Sequence, residues 1–383
     1  MMSEIYFDAA ATVPPDKDIL DTFIDVSQKF YANPSALHSA GLEAERSIRA
    51  SSEAISRLLG ASKDELYFTS GGTESNNMAI LGMAKVRSRT HKHIITQLSE
   101  HPSVIQSCKR LESEGFDITW LTPDKNGIIS TEQIGQALRE DTGLVAIIHV
   151  NNETGCINDI EKIGAFVKQN SSAYFFSDGV QGFGKFNVSL KNIDAYSFSG
   201  HKIGCIKGIG GLFLSSKVRI IPQIIGGGQQ NNLRSGTENT AGIAALAKAS
   251  EKAFANISEN RDHMLAIKNK IMELVDLLPD VYINVNAENS SPYILNMSFI
   301  DIRSEVLLHA LAEDGIFLSA GSACSAGKKD KERNVLYAMG YERKFYESAV
   351  RLSFSPENTM EEAEKCINII AEKVNFLRKY TRR

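Results

Sequence analysis

Residues 67–82 read YFTSGGTESNNMAILG, a short apolar run followed by two glycines and a segment with helical character. A buried strand, a tight turn and a helix in this order form the repeating unit of α/β proteins. The chain repeats such apolar runs, and they are ELYFTS, HIITQ, FDITWL, LVAIIHV, AYFFSD, AYSFS and GGLFLS. Because these runs mostly do not alternate between apolar and polar residues, they predict strands that are covered on both faces.

Helix-like segments lie between these runs, among them GLEAERSIRASSEAISRLLG (41–60) and SVIQSCKRLESEG (103–115), and both end in a glycine. A glycine at this position is a common helix stop. The repeated strand–helix order from about residue 15 to about residue 250 predicts an α/β fold with a mainly parallel, doubly wound sheet. Functional side chains then gather at the carboxyl ends of the strands.

The pattern changes after about residue 250. A helix-like stretch over 240–278 precedes a strand (YILNMSFI, 293–300), a helix (SEVLLHALAEDG), a strand (AVRLSFS, 349–355) and a closing helix. This content is typical of a smaller α+β domain. We therefore predict a large domain over 15–255 and a small domain formed by 1–14 and 256–383.

The composition is that of a soluble globular enzyme. The 383 residues are 43% hydrophobic and carry a net charge of −4, which argues against a nucleic-acid partner bound by overall charge. No run approaches the roughly 18 apolar residues of a membrane span, and no signal peptide is evident, so we expect no membrane partner. The cysteines are odd in number and form no C-x-x-C pair, which predicts reduced thiols in the cytoplasm and no metal site. They are Cys108, Cys156, Cys205, Cys324 and Cys366.

Two strand ends carry groups that suit pyridoxal 5'-phosphate (PLP). DAYSFSGHKIG (194–204) puts Lys202 at a carboxyl edge, where a lysine can form a Schiff base with the PLP aldehyde if its amine is neutral. AYFFSDGVQG (173–182) ends a strand in Asp178, and a carboxylate under the pyridine nitrogen keeps that nitrogen protonated. Gln181 could donate to the phenolate oxygen. Taken singly, such a lysine is usually solvated and such an aspartate can cap a helix.

An anion site is predicted at the turn within 67–82. Gly71 and Gly72 let backbone amides approach an anion, Thr73 adds a hydroxyl, and the helix N-terminus supplies positive potential. The turn lacks the Gly-Lys-[Ser/Thr] of a Walker motif and is not G-x-G-x-x-G, so it is a phosphate cup of another kind or a structural turn.

Four further residues stand at comparable positions. His101 precedes a proline at the start of a helix, Asn152 follows the strand LVAIIHV, and Thr237 lies in the turn LRSGTEN (233–239). Arg351 lies within the apolar strand AVRLSFS, and a buried arginine needs a carboxylate partner. That partner is either an internal aspartate or glutamate or a substrate.

The ordered set of motifs resembles the cysteine desulfurases of the NifS/IscS type, in the class-V aminotransferase family of fold-type I PLP enzymes. The likeness covers nearly the whole chain, in YFDAAAT, NPSALH, FTSGGTESNN, EHPSV, VNNETG, DGVQ, SFSGHK, GGGQ, RSGTEN, GSACS and VRLSFS. It implies a fold-type I PLP-dependent transferase, with a large PLP-binding domain built on a mainly parallel, seven-stranded sheet and a smaller α+β domain.

The resemblance also implies a role for each site residue. Lys202 would be the Schiff-base lysine, with Asp178 at the pyridine nitrogen and Gln181 at the phenolate oxygen. His101 would stack on the ring and serve in proton transfer, and Arg351 would bind the substrate carboxylate. The remaining binding residues would be Asn152 beside the ring and substrate, and Gly72, Thr73, Ser199, His201 and, from the partner subunit of a homodimer, Thr237 at the phosphate.

Cys324 lies among small residues in LSAGSACSAG (318–327), and the resemblance makes it the sulfur-accepting nucleophile on a loop over about 320–334. The implied reaction converts L-cysteine to L-alanine and passes sulfur, as a persulfide on Cys324, to an acceptor such as an iron–sulfur scaffold or a tRNA-thiolation enzyme. Alternatives are a selenocysteine lyase, a fold-type I aminotransferase or β-lyase in which Cys324 is incidental, and a non-catalytic scaffold or sulfur-carrier partner.

The chain departs from the family pattern at three places. Ala9 replaces the usual asparagine of the opening motif, Gly204-Cys205-Ile206 replaces Tyr-Gly-Pro, and Gln230-Asn231-Asn232 replaces Glu-Arg-Gly. None of these changes removes a group to which the resemblance assigns chemistry.

Overall fold

The computed structural model describes residues 4–320 and 334–381. Its strands are β1 (Ile5–Tyr6), β2 (Leu66–Thr69), β3 (His93–Gln97), β4 (Asp117–Leu121), β5 (Thr142–Ala146), β6 (Tyr174–Asp178), β7 (Ala195–Ser199), β8 (Gly210–Leu214), β9 (Val281–Ile283), β10 (Ile294–Phe299), β11 (Ile316–Phe317), β12 (Ser319–Ala320) and β13 (Ala349–Ser353). Its helices are α1 (Lys17–Lys29), α2 (Ser39–Leu58), α3 (Gly72–Arg87), α4 (Pro102–Ser113), α5 (Thr131–Ala137), α6 (Ile160–Asn170), α7 (Thr240–Ala255), α8 (Ile257–Val275), α9 (Ser304–Ala312), α10 (Val335–Ala338), α11 (Arg343–Tyr346) and α12 (Met360–Thr381).

The large sheet has seven strands among the described residues, in the order β2-β8-β7-β6-β5-β3-β4. Strand β8 is antiparallel to both of its neighbours, and the other strands run parallel to one another. This arrangement confirms the predicted α/β class and its mainly parallel sheet. The carboxyl ends of β2, β3, β5, β6 and β7 therefore open at one edge.

Helices cover both faces of this sheet. One apolar core includes residues of α3 and α4, such as Ile80 and Val104. A second core includes residues of α1, α2, α5, α6 and α7, such as Ile163 and Leu246. Burial on both faces explains why the strands do not alternate between apolar and polar residues.

A third core belongs to the smaller part of the fold. The antiparallel sheet β12-β13-β10-β9 packs with α8, α9 and α12, and β1 pairs in parallel with β11. Ile5 and Phe7 lie in this core, so the start of the described chain packs with the small sheet. The domain boundaries given above stay a prediction.

The stretch 240–278 differs from its helix-like pattern at one point. It forms two helices, and Asn256 between them leaves the helical conformation with φ −115° and ψ 15°. Helix α7 packs in a core of the large sheet and α8 in the core of the small sheet. The break at Asn256 allows α7 to pack in one core and α8 to pack in the other.

One departure from the family pattern stabilises the edge of the large sheet. Gln230, Asn231 and Asn232 have positive φ values of 48°, 56° and 64°. The Gln230 side chain accepts a hydrogen bond from the Phe68 N–H at 2.5 Å and donates to the Phe68 carbonyl at 2.8 Å. Because β2 ends the sheet, this amide occupies backbone groups that an edge strand leaves open.

No helix among the described residues is both long enough and apolar enough to cross a lipid bilayer.

We expect the substitution Phe198→Ala to destabilise the protein by about 3–5 kcal/mol, because a buried aromatic ring is lost and a cavity remains. The Phe198 ring is fully buried and stacks on Phe183 with ring centroids 4.1 Å apart. Urea unfolding followed by circular dichroism measures the free energy of unfolding. The control Phe376→Ala removes a ring that is 54% exposed and should change it by less than about 0.5 kcal/mol. Equal effects of the two substitutions would contradict the packing described.

Candidate active site

A cavity of about 360 Å³ lies at the carboxyl edge of the large sheet. This volume is in the range of small-molecule binding sites. Arg351 reaches the cavity from β13 of the small sheet, and the large sheet and its loops supply most of the other walls. The predicted site residues that line it are Gly72, Thr73, His101, Asn152, Asp178, Gln181, Ser199, His201, Lys202 and Arg351.

One predicted residue of the described chain is not brought to this cavity. Thr237 lines a separate cavity near Gln230 and Arg234. Cys324 lies outside the described residues.

Lys202 ends the short 3₁₀ turn that follows β7. Its Nζ donates to the carbonyl oxygens of Ala10 and Ala11, both at 2.7 Å. Burial, followed by the nearby Arg351 guanidinium, lowers the pKa of Lys202 to about 8, although Asp8 and Asp178 act in the opposite direction. A lowered pKa makes the neutral, nucleophilic amine more accessible near neutral pH.

Asp178 is the last residue of β6 and is 2% exposed. Its Oδ1 accepts a hydrogen bond from the Val180 N–H at 3.0 Å, and its Oδ2 accepts one from Asn76 Nδ2 at 2.6 Å. Two donors therefore fix the orientation of a carboxylate that lines the cavity. Such a group suits a cationic ring nitrogen.

The N-terminus of α3 gives the cavity a wall that favours a negatively charged group. The first amides of a helix have no acceptor inside the helix, and those of α3 begin at Gly72. A Cβ on Gly72 would lie 2.4 Å from Val180 Cγ2, so the close approach requires glycine. Thr73 and Ser199 line the cavity beside this helix end. Amides, hydroxyls and the helix dipole together suit an anion such as phosphate.

His201 contributes a neutral imidazole to the cavity. Burial, and then the nearby Lys202, Lys207 and Lys185, lower its pKa to about 4. Its Nδ1 lies 3.2 Å from Thr12 Oγ1. A neutral ring can still donate an N–H to an anion.

Arg351 is 6% exposed and has two internal partners. One terminal nitrogen donates to Asp8 Oδ1 at 2.6 Å, and the other donates to the Asn152 carbonyl at 2.8 Å. The sequence left open whether the partner would be internal or a substrate, and the structure supplies Asp8. The Nε–H of Arg351 is buried and has no hydrogen-bond partner among the described residues.

Sequence reasoning missed several residues around the cavity. Asp8 lies in the quoted motif YFDAAAT but was given no role. Asn76 lies in TESNN, where only the helical phase shows that it faces inward. Lys185 is buried, and its Nζ donates to Gln181 Oε1 at 3.1 Å, while Gln181 Nε2 donates to the Ala10 carbonyl at 2.9 Å.

These groups fit PLP. Lys202 supplies an amine for an aldehyde, Asp178 supplies a buried carboxylate for a ring nitrogen, and the α3 N-terminus supplies an anion cradle that Gly72 keeps open. Arg351 lines the same cavity, and each of its terminal nitrogens keeps a second N–H, beyond the bonds to Asp8 and Asn152, that suits a carboxylate.

Comparison with known proteins gives consistent matches. The family described as "Aminotransferase class-V" matches residues 5–366. A "NifS/IcsS protein homolog" of Lactobacillus delbrueckii subsp. bulgaricus is 41% identical over 367 residues, which cover 95% of this chain and 95% of that protein. A "Cysteine desulfurase IscS" of Methanosarcina thermophila is 36% identical and covers 98% of this chain and 93% of that protein. A solved structure titled "NIFS-LIKE PROTEIN" superposes with a TM-score of 0.92 at 34% identity, covering 98% of this chain and 100% of that chain.

We expect Asp8→Asn to lower the pKa of Lys202 below about 8, because the carboxylate of Asp8 raises it in the wild type. Competitive acetylation of the cofactor-free protein over a pH series, with peptide mass spectrometry, measures the titration of Lys202. The exposed Lys207 serves as an internal reference. The control Asp25→Asn removes an exposed carboxylate on α1 and should leave Lys202 unchanged. A Lys202 pKa that rises in Asp8→Asn would contradict the electrostatic role of Asp8.

Proposed function

Because the chain belongs to the aminotransferase class-V family and, within it, to the IscS/NifS-like cysteine desulfurases, we propose that its cavity binds PLP and L-cysteine and that Cys324 accepts the sulfur as a persulfide. These matches confirm the family that the motifs predict. L-Alanine is the second product of this reaction.

The observation that carries the proposal is the convergence of Lys202, Asp178 and Arg351 on one cavity. Lys202 would bind the PLP aldehyde and, as a neutral amine, move a proton at the substrate α-carbon. Asp178 would hold the ring nitrogen, and Arg351 would bind the substrate carboxylate. When bound, PLP would supply an electron sink for the charge that develops at that carbon.

The phosphate and the ring oxygen would be held by the remaining residues of the cavity. Gly72, Thr73, Ser199 and His201 would bind the phosphate, because they combine helix amides, hydroxyls and a neutral imidazole. Gln181 would face the phenolate oxygen with its amide N–H₂, since its Oε1 already accepts from Lys185. Asn152 would lie beside the ring and the substrate.

The other cysteines support the assignment of Cys324 as the sulfur acceptor. Attack on sulfur requires a thiolate. Burial raises the pKa of Cys156 to about 11 and that of Cys205 to about 12, and it raises the pKa values of Cys108 and Cys366 as well. All four are free thiols and at most 1% exposed, so they are poorly suited to meet an acceptor protein.

The strand that precedes Cys324 also supports the assignment. In the pairing of β12 with β13, Ser319 lies opposite Arg351. The chain thus enters the segment with Cys324 beside the residue proposed to bind the substrate carboxylate. The physiological acceptor would be a protein such as an iron–sulfur scaffold or a tRNA-thiolation enzyme, in the cytoplasm, where free thiols persist.

We further propose a homodimer in which Thr237 reaches the phosphate of the partner subunit's site. Thr237 lies outside the cavity that Lys202 of its own chain lines, and this supports the arrangement. Arg234, in the same turn, donates to Glu74 Oε1 of α3 at 2.8 Å, which fixes the turn to the helix of the anion cradle.

We expect wild-type protein with PLP and L-cysteine to form alanine and, with a thiol reductant, sulfide in equal amounts. Cys324→Ala should keep the PLP absorbance and lose activity by about 100-fold or more, whereas Lys202→Ala should lose both normal absorbance and activity. The control Cys366→Ala should stay active. Sulfur transfer by Cys324→Ala at the wild-type rate would contradict the role of Cys324, and release of sulfide with pyruvate in place of alanine would indicate a β-lyase. Turnover of L-selenocysteine but not of L-cysteine would indicate a selenocysteine lyase.

Mixed dimers test the position of Thr237. If Thr237 serves the partner's site, a dimer of one Lys202→Ala chain and one Thr237→Ala chain contains one intact site and binds PLP there with wild-type affinity. If Thr237 serves its own chain, no site of the mixed dimer is intact. Differently tagged chains and PLP titration by absorbance distinguish these results, with both homodimers as controls. A monomer in size-exclusion chromatography would contradict the proposal outright.

A further inference from the structure

A buried hydrogen-bond network behind the cavity joins Asp178 to His101 through Asn76. Asn76 Nδ2 donates to Asp178 Oδ2 at 2.6 Å and to Ser103 Oγ at 2.8 Å. Asn76 Oδ1 accepts from Ser197 Oγ at 2.5 Å. The reverse orientation of the amide would place its oxygen against the carboxylate oxygen, so these partners fix which end of Asn76 donates.

This orientation determines what the Ser103 hydroxyl can do. Because the Ser103 backbone N–H donates to His101 Nδ1, this nitrogen is an acceptor, and the Ser103 hydroxyl, whose oxygen accepts from Asn76, is left to donate to it across 2.7 Å. The backbone N–H of Ser103 also donates to His101 Nδ1 at 3.2 Å, since His101 caps α4. Two donors therefore converge on Nδ1, and a neutral imidazole with an accepting Nδ1 carries its proton on Nε2.

Burial protects the hydrogen bonds of this network from competition by water. Asn76 and Ser197 are fully buried, Asp178 is 2% exposed and Ser103 is 8% exposed, so water hardly competes for these bonds. Burial and the nearby Lys202 lower the pKa of His101, against the opposing effect of Asp178. Arg351, which also lines the cavity, forms an ion pair with Asp8. The ring is therefore neutral at the pH at which Lys202 acts.

We propose that Asn76 and Ser103 are positioning residues that hold His101 as its Nε2–H tautomer, so that the ring presents an N–H donor to the cavity. In this state His101 presents its Nε2–H as a hydrogen-bond donor to an acceptor atom of a bound ligand. The other tautomer would require the loss of the backbone N–H bond to Nδ1 and a reversal of the Ser103 hydroxyl. The consequence for catalysis rests on the proposed function, whereas the tautomer is a property of the cofactor-free chain.

The test is nuclear magnetic resonance of cofactor-free protein labelled with ¹⁵N-histidine at pH 8, with the His101 signals assigned by their loss in His101→Gln. We expect wild-type His101 to show a protonated Nε2 and an unprotonated Nδ1. In Asn76→Ala the ratio of the Nδ1–H to the Nε2–H tautomer should rise by about fivefold, the factor that one ordinary hydrogen bond is worth. The freed Ser103 hydroxyl can then accept from Nδ1–H.

Two further variants separate this role from general damage to the fold. Asn77→Ala removes the adjacent amide, which donates to the Thr73 carbonyl at 2.8 Å, and should leave the His101 tautomer unchanged. Ser103→Ala removes only the hydroxyl, and in its background Asn76→Ala should have no further effect on the tautomer. A wild-type proton on Nδ1, or an unchanged ratio in both Asn76→Ala and Ser103→Ala, would overturn the inference. If wild-type His101 carries its proton on Nε2 but the protein has no desulfurase activity, the proposed function is contradicted and the proposal on the tautomer stands.

Discussion

The ion pair between Arg351 and Asp8 is the contact on which the cavity depends. Arg351 lies on β13 of the small sheet, Asp8 follows β1 near the start of the chain, and Asn152, whose carbonyl also accepts from Arg351, follows β5 of the large sheet. Breaking a buried ion pair by removing one partner typically costs about 3–5 kcal/mol, because the other charge stays buried. This guanidinium therefore joins three distant parts of the chain at the cavity.

The charges around this contact explain the chemistry of the cavity. Three cations, Lys185, Lys202 and Arg351, lie close together with the carboxylates of Asp8 and Asp178 among them. Burial and like-charge repulsion lower the pKa of Lys185 to about 7 and that of Lys202 to about 8. Burial first, and then repulsion from the neighbouring cations, makes these lysine amines easier to deprotonate near neutral pH.

The positions of groups at strand ends could be predicted from the sequence because each depends on local order. Asp178 and Lys202 each follow an apolar run, and the geometry of a parallel sheet then brings such ends to one edge. Asp8 could not be assigned in this way, since its partner is 343 positions away and only the folded small sheet joins them. The inward position of Asn76 depends on helical phase, and the bend at Asn256 depends on which core each helix enters. Composition reveals neither.

The donors of Arg351 show how one residue can hold the fold together and still bind a ligand. A guanidinium has five N–H groups in a planar fork. Among the described residues, two are used by Asp8 and the Asn152 carbonyl, and the Nε–H is buried without a partner. An unpaired buried donor is costly, typically by about 1–3 kcal/mol, whereas each terminal nitrogen keeps a second N–H beyond these bonds. If Arg351 binds the substrate carboxylate as proposed, these second N–H groups can do so without the loss of Asp8, so substrate binding need not disturb the ion pair.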